Sequence, residues 1–256
     1  MRRWGELNEE MRQAGIAPAV RAYVRWTHEV PEAMGSSLLL LKLPDMPFIP
    51  EAIRGQQVAH IRILHVGDSA EATGLVDALR VAAPTAQDTV TEMPYSDVAS
   101  IHNEPDGPVV FEASNTLLAT LDDEAVDVLL QHAGPAAGDA YLVELRQLGG
   151  RLGRDEGRRG VTGRRDGQFT LYAGTALEAP EDRSAAAQDQ GRLHAAMEPW
   201  STGGVCPSFL SGPAITLEDY RSGFDDSDFQ HLQELKSRFD PNNTFRVNHN
   251  IPPVPA

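Results

Sequence analysis

Apolar and polar positions alternate most clearly in residues 58–66 (VAHIRILHV). Ala59, Ile61 and Ile63 fall on one face there, and His60 and Arg62 on the other. A period of two predicts a strand. Two further strands are predicted at 140–148 (AYLVELRQL), between Gly138 and Gly149-Gly150, and at 168–177 (QFTLYAGTAL). Leu38 to Leu43 reads as a fourth, closed by the prolines of 44–50, which exclude regular pairing. Helical spacing appears elsewhere. After Pro18, placed as a first-turn residue, come Ala19, Val20, Tyr23, Val24 and Trp26, and Pro31 ends the run. Asp68 or Ser69 can cap a helix reaching about Arg80. Thr120 or Asp122 opens another, in which Leu121, Ala125, Val128 and Leu129 share a face. Glu181 to Met197 reads as helical, with Gly191 as its weak point. Ser227 and Gln230 form a capping-box pattern ahead of Phe229, Leu232, Leu235 and Phe239, and Asp240-Pro241 ends that helix.

Strands and helices of unequal length, without steady alternation, argue for an α+β fold: an antiparallel sheet covered by helices on one face, with an extended C-terminal tail. The strands at 140–148 and 168–177 need only a loop between them, which favours antiparallel pairing.

Composition narrows the function classes. A chain of 256 residues with 41% apolar and 23% charged residues can build a full core. A formal charge of −15 makes a nucleic-acid partner a poor fit, since phosphate backbones reward Lys and Arg. No run approaches the roughly 20 apolar residues of a membrane span, and Glu6, Glu9 and Glu10 stand where a secretory signal needs apolar residues. A cytoplasmic location is expected, with no membrane partner. The single cysteine, Cys206, excludes an internal disulfide framework. The eight histidines form no HxH or HExxH, and His60 and His65 fall on opposite strand faces, so no metal site is expected.

Three features carry rival readings. Gly149 to Gly153 superficially resembles a phosphate cradle, but a turn after a strand is the simpler reading, since no dinucleotide fingerprint is present. Seven arginines from Arg146 to Arg165 (146, 151, 154, 158, 159, 164, 165) face only Asp155 and Glu156; they form either a solvated hairpin tip or an anion-binding or docking surface. Cys206 is either an inert thiol or a nucleophile with a partner distant in sequence.

The C-terminal residues decide more. FQHLQELKSRFDPNNTFRVNHNIPP (229–253) resembles the terminal signature of the berberine-bridge-enzyme-like FAD-linked oxidases of the vanillyl-alcohol-oxidase type. That signature is a helix carrying Leu and Lys, an aromatic residue, and then D-P-x-N-x-F-R-x-N-x-N-I-x-P. Leu232, Leu235, Lys236, Phe239, Asp240, Pro241, Asn243, Phe245, Arg246, Asn248, Asn250, Ile251 and Pro253 fit in order. VELRQLGG (143–150), RRDGQFTLYAG (164–174) and PFIPEAIRGQQVAHIRILHVGD (47–68) resemble strands of the same family's substrate domain.

The resemblance covers the second half of the family's chain only. It implies a substrate-binding-type α+β domain over 1–225 and a berberine-bridge-like helix and tail over 226–256, with the N-terminal FAD-binding domain absent. It implies FAD as cofactor, a small-molecule substrate, and hydride transfer from an alcohol or amine carbon to flavin N5. The partners it implies are a separate FAD-binding domain or a second copy of the chain. Carried over by position, Asn248 and Asn250 would lie near the cofactor, with turn capping as the plainer role for both. Arg164 and Arg165 stand at the family's His-Arg, as substrate or docking residues. Cys206 stands at the family tyrosine and Ser208 at the family asparagine, which leaves the catalytic residues open. The alternative is a non-catalytic remnant or binding module that retains the fold without FAD. From about Asn242 only Phe245, Val247 and Ile251 offer apolar anchors, so the tail is expected to be weakly held without a partner.

Overall fold

The computed structural model describes residues 4–43, 45–47, 49, 51, 53–102, 107, 109–135, 137, 142–153, 161, 163, 164, 166–212 and 215–254. Helix α1 (Trp4–Thr27) leads into strand β1 (Met34–Lys42) and its hairpin partner β2 (Gln57–His65), followed by α2 (Ser69–Arg80). Next come β3 (Phe111–Leu118), α3 (Asp123–Ala133), β4 (Leu142–Gln147), β5 (Phe169–Ala176) and α4 (Arg183–Met197). The short α5 (Leu217–Arg221) and α6 (Asp226–Phe239) end the helical part. The five strands form one sheet in the order β2-β1-β4-β5-β3, and every pairing is antiparallel. This is the expected α+β class.

Register assigns the two faces. Leu38 pairs with Leu145 and Leu145 with Leu171, while Leu40 pairs with Val143 and Val143 with Ala173. These side chains, together with Phe169 and Leu118, form one buried cluster with Val20, Tyr23 and Trp26 of α1, Leu129 of α3, and Leu193 and Met197 of α4. Burying each large side chain stabilises by about 1.5–3 kcal/mol, so this helix-covered face holds the fold together. The odd positions of β1 and β5's Thr170 and Tyr172 point the other way, to a face that α1, α3 and α4 do not reach; Ser37, Leu39, Glu144, Asn115 and Thr170 are buried there all the same.

Several expectations need correction. Pro18 lies in the middle of a 24-residue helix and not in its first turn; the packing of Val20, Tyr23 and Trp26 offsets the hydrogen bond that proline removes. The cap of α6 is Asp225, without a side-chain hydrogen bond, so Ser227 and Gln230 form no capping box. Strand β3 was absent from the pattern altogether. Its sequence FEASNTLL contains Glu112, Ser114, Asn115 and Thr116, yet Glu112 and Asn115 are buried. They are tolerated because each has a partner. Gln190 of α4 donates to the Glu112 carbonyl at 2.9 Å, and Arg183 pairs with the Glu112 carboxylate. By contrast, Asp68 and Asp122 cap α2 and α3 as the sequence indicates, accepting from Ala70 and Ala125 at 2.8 Å.

The outer edge of β3 is not free. Residues 200–206 run beside it, with Ala119 N–H donating to Trp200 O, Thr202 N–H to Leu117 O, and Leu117 N–H to Gly204 O, all at 2.8–2.9 Å. That cover blunts an edge that would otherwise invite pairing. It also carries Cys206 to the end of the sheet face opposite the α1, α3 and α4 core.

Candidate functional site

The site is built from the middle of the sheet outward. On central strand β4, Val143 and Leu145 enter the core, so Glu144 and Arg146 emerge on the opposite face. Glu144 pairs in register with Tyr172 of β5 and with Leu39 of β1; Tyr172 faces Asn115 of β3, and Leu39 faces His60 of β2. One row of residues therefore crosses all five strands: His60, Leu39, Glu144, Tyr172, Asn115. Arg62, beside His60 on the same face, reaches toward the centre.

Charge converges there. Arg62 Nη1 lies 3.4 Å from Glu144 Oε1, and Arg146 Nη2 lies 3.2 and 3.0 Å from the two Glu144 oxygens. The Glu144 side chain is only 7% exposed and Arg62 11%, against 33% for Arg146. A buried carboxylate with one cation would be balanced; this one has two. Arg62 Nη2 also donates to the His102 carbonyl at 3.4 Å, while its buried Nε has no acceptor among the described residues. Partial burial and then the charge of Arg62 hold the His60 imidazole below its ordinary pKa. Among the described residues the cluster carries more positive than negative charge, although the chain as a whole is acidic.

Aromatic rings border the charges. The Arg146 guanidinium sits 4.8 Å over the Phe209 ring, and Phe209 packs at 5.5 Å against Tyr172. Asn115 fixes the approach of the loop that carries Phe209. Its Oδ1 accepts from Cys206 N–H at 2.6 Å and its Nδ2 donates to Cys206 O at 3.2 Å. The face can thus hold an anionic or hydrogen-bonding group beside flat rings.

The residues singled out in the sequence fare unequally. Cys206 is half-buried at the end of the row, where its backbone holds Asn115. Ser208 follows on an exposed turn. Arg164 is engaged by Asp166, through Nε at 3.1 Å, and by the Thr202 carbonyl at 3.2 Å. Arg165, with Arg154, Arg158 and Arg159, lies outside the described residues. Asn248 is exposed with a left-handed backbone, φ 71°, and Asn250 is half-buried with an Oδ1 that has no partner among the described residues. The glycine run after β4 is a tight turn: Gly150 has φ 65°, and a Cβ there would meet Glu32 Cα at 3.2 Å. A cavity of about 380 Å³ opens at this turn, lined by Thr27, His28, Gln147, Gly150 and Phe169, but none of the Glu144 cluster reaches it. Among the described residues no group of three His, Cys, Asp or Glu could hold a metal, and no helix is long and apolar enough to cross a membrane.

Sequence reasoning missed Glu144, Arg62, Tyr172 and Asn115, and saw Arg146 only as part of the arginine run. A usable signal existed: charged residues alternating with Val143 and Leu145 in the most strand-like segment of the chain.

The signature residues of the tail have a structural role. Asp240 accepts from Thr244 N–H at 2.7 Å, Phe245 N–H at 3.0 Å and Lys236 Nζ at 2.5 Å, and Lys236 also donates to Phe245 O at 2.6 Å. Val254 N–H donates to Ser237 Oγ at 2.7 Å, and His249 stacks on Tyr220 at 5.1 Å. Residues 212–252 match the family described as berberine and berberine-like. The resemblance seen in the sequence holds.

The fold agrees with it. BBE-like 1 from Physcomitrella patens superposes with a TM-score of 0.71 at 12% identity, over 91% of this chain and 50% of its own. 6-Hydroxy-D-nicotine oxidase from Arthrobacter nicotinovorans gives 0.71 at 17%, over 93% and 52%. Carbohydrate oxidase from Microdochium nivale gives 0.68 at 14%, over 96% and 54%. The chain thus spans about half the length of these structures. No curated protein matches it significantly in sequence.

Proposed function

We propose that the chain is the substrate-side half of an FAD-linked oxidoreductase, acting on an alcohol or amine carbon of a small molecule. The observation that carries this reading is the coincidence of two features. A berberine-like tail, residues 212–252, follows a sheet whose face away from α1, α3 and α4 bears the Glu144 cluster. When bound, flavin supplies the hydride acceptor at N5. This chain's residues would do the rest: Tyr172 and Phe209 would flank the substrate, and Arg146 would orient its polar end. Glu144 has both oxygens engaged by guanidinium groups, which suits it to holding those cations in place.

The fit to FAD is one-sided. Flat rings and a guanidinium suit a ring system, but the described residues offer no diphosphate cradle, and the one glycine turn that resembled one is closed by Glu32. The diphosphate would be held by a separate FAD-binding domain, with the tail and the two asparagines Asn248 and Asn250 turned toward it. A second reading has a specific observation behind it. The family tyrosine and asparagine positions hold a half-buried thiol, Cys206, and an exposed hydroxyl, Ser208. A remnant that keeps the fold as a binding module would tolerate both.

The test is to express the chain together with the coding sequence that flanks it in its genome and to follow flavin absorbance anaerobically against a panel of alcohols and amines. Substrate-dependent bleaching, slowed tenfold or more by Arg146→Gln, is the expected result. A product of that expression with no flavin and no bleaching would leave the binding-module reading.

A further inference from the structure

We propose that the sheet face bearing Glu144 binds a small molecule carrying a carboxylate at the partly exposed Arg146, and that the Arg62–Arg146 pair is its receptor. The inference deepens the oxidoreductase reading by naming a substrate class, and it rests on that reading only for the word substrate. Three observations lead to it. The first is charge: two guanidinium groups share the single carboxylate of Glu144 on the central strand, which leaves one unit of positive charge unmatched among the described residues of the cluster. An isolated Arg–Glu pair would have kept the face neutral, and burying a surplus charge costs free energy unless an anion restores the balance.

The second is an orphan donor. Arg62 Nε is buried and has no acceptor among the described residues, whereas both terminal nitrogens of the same guanidinium are used. Buried donors normally find partners, and a charged donor more so. The third is access and shape. Arg146, one-third exposed, sits 4.8 Å over the Phe209 ring, which packs against Tyr172, so an approaching carboxylate meets a guanidinium beside aromatic rings. An aryl or short aliphatic acid suits such a surface; a neutral sugar or a cationic amine would leave the surplus charge unanswered. One carboxylate matches one surplus charge, while a dianionic phosphate would overshoot it.

The experiment uses the 256-residue chain without flavin, so its outcome does not depend on the oxidoreductase reading. Benzoate, benzamide and phenyl phosphate are titrated while the arginine Nε–Hε correlations are followed by NMR. Benzoate is expected to shift the Arg62 and Arg146 signals saturably, and benzamide at the same concentrations is not. Arg146→Gln should weaken benzoate by about fivefold or more, the effect of one unit charge at about 4 Å in an aqueous dielectric. Glu144→Gln should strengthen it by a similar factor, because it removes the competing carboxylate; a merely structural Glu144 would give no gain. Thermal midpoints of both variants establish that they fold, and if Glu144→Gln does not, the Arg146→Gln comparison decides alone. Equal binding of benzoate and benzamide, or no effect of Arg146→Gln, would overturn the proposal. Tighter binding of phenyl phosphate with the same arginine dependence would overturn the carboxylate assignment.

Discussion

His194 shows how a single buried residue ties stability to pH. Its Nε2 sits 2.9 Å from Ser114 Oγ, which also donates to Gln190 Oε1 at 2.8 Å, and its Nδ1 is buried without a partner among the described residues. Desolvation pulls the imidazole down to about 4, so the folded chain keeps it neutral where the unfolded chain would protonate it. The folded pKa is depressed below the unfolded value of about 6.5. Its stabilising effect is therefore fully present above that value and is lost as pH falls toward 4. Urea denaturation should show about 2 kcal/mol of pH-dependent loss between pH 7.5 and 5 from this group. His194→Gln should flatten that dependence; an equally steep profile in the variant would assign it elsewhere. Asn115→Ala removes both bonds to the Cys206 backbone and leaves the Cys206 N–H without its acceptor, while Cys206 O keeps the Phe209 N–H; it is expected to cost about 1–3 kcal/mol in the same assay.

At the scale of elements, one carboxylate gathers most of the bonds that join α6 to the start of the tail. Asp240 accepts from Lys236 and from two tail amides, and those bonds pull its pKa down to about 2, with Lys236 the largest cause. A depressed carboxylate contributes above its unfolded pKa of about 4 and loses that contribution only as pH falls toward 2, so the join should persist through mildly acidic conditions. Asp240→Ala should release it at neutral pH, speeding amide exchange at Thr244 and Phe245 by tenfold or more while α4 is unaffected. Unchanged exchange at those two amides would mean that the ring stack of His249 on Tyr220 holds the tail instead. The D-P-x-N signature therefore reads here as a tie between helix and tail: Asp240 accepts from the tail, and Asn243 occupies a left-handed position, φ 50°, that asparagine tolerates.

For the whole molecule, the acidic chain sets Arg62 and Arg146 together on one sheet face and leaves apolar side chains on the tail in solvent. Phe245 is 82% exposed and Val247 92%, as expected for a tail with few anchors in its own domain, although polar ties to α6 hold its start and end. Amide exchange on the lone chain should be slow at Thr244, Phe245 and Val254 and fast from Arg246 to Asn248. Addition of a flavin domain should then slow that middle stretch. Uniform protection without any partner would remove the tail from the docking reading.

Local chemistry determined much of this in advance. The strands at 58–66 and 168–177, the caps Asp68 and Asp122, and the antiparallel α+β class follow from side-chain period and capping, which act over a few residues. The resemblance to the berberine-like family was legible because the tail signature is a run of neighbours. The site was not. Glu144 and Arg146 are two positions apart, but Arg62 is joined to them only through the β2-β1-β4 register, and Asn115 only through β3. Strand β3 itself hid behind polar residues whose partners, Arg183, Gln190 and His194, come from a helix some 70 to 80 positions later. A residue's period shows which face it takes. Whether a polar residue on that face is buried with a partner, and which charges meet there, is decided only when distant strands are set in register.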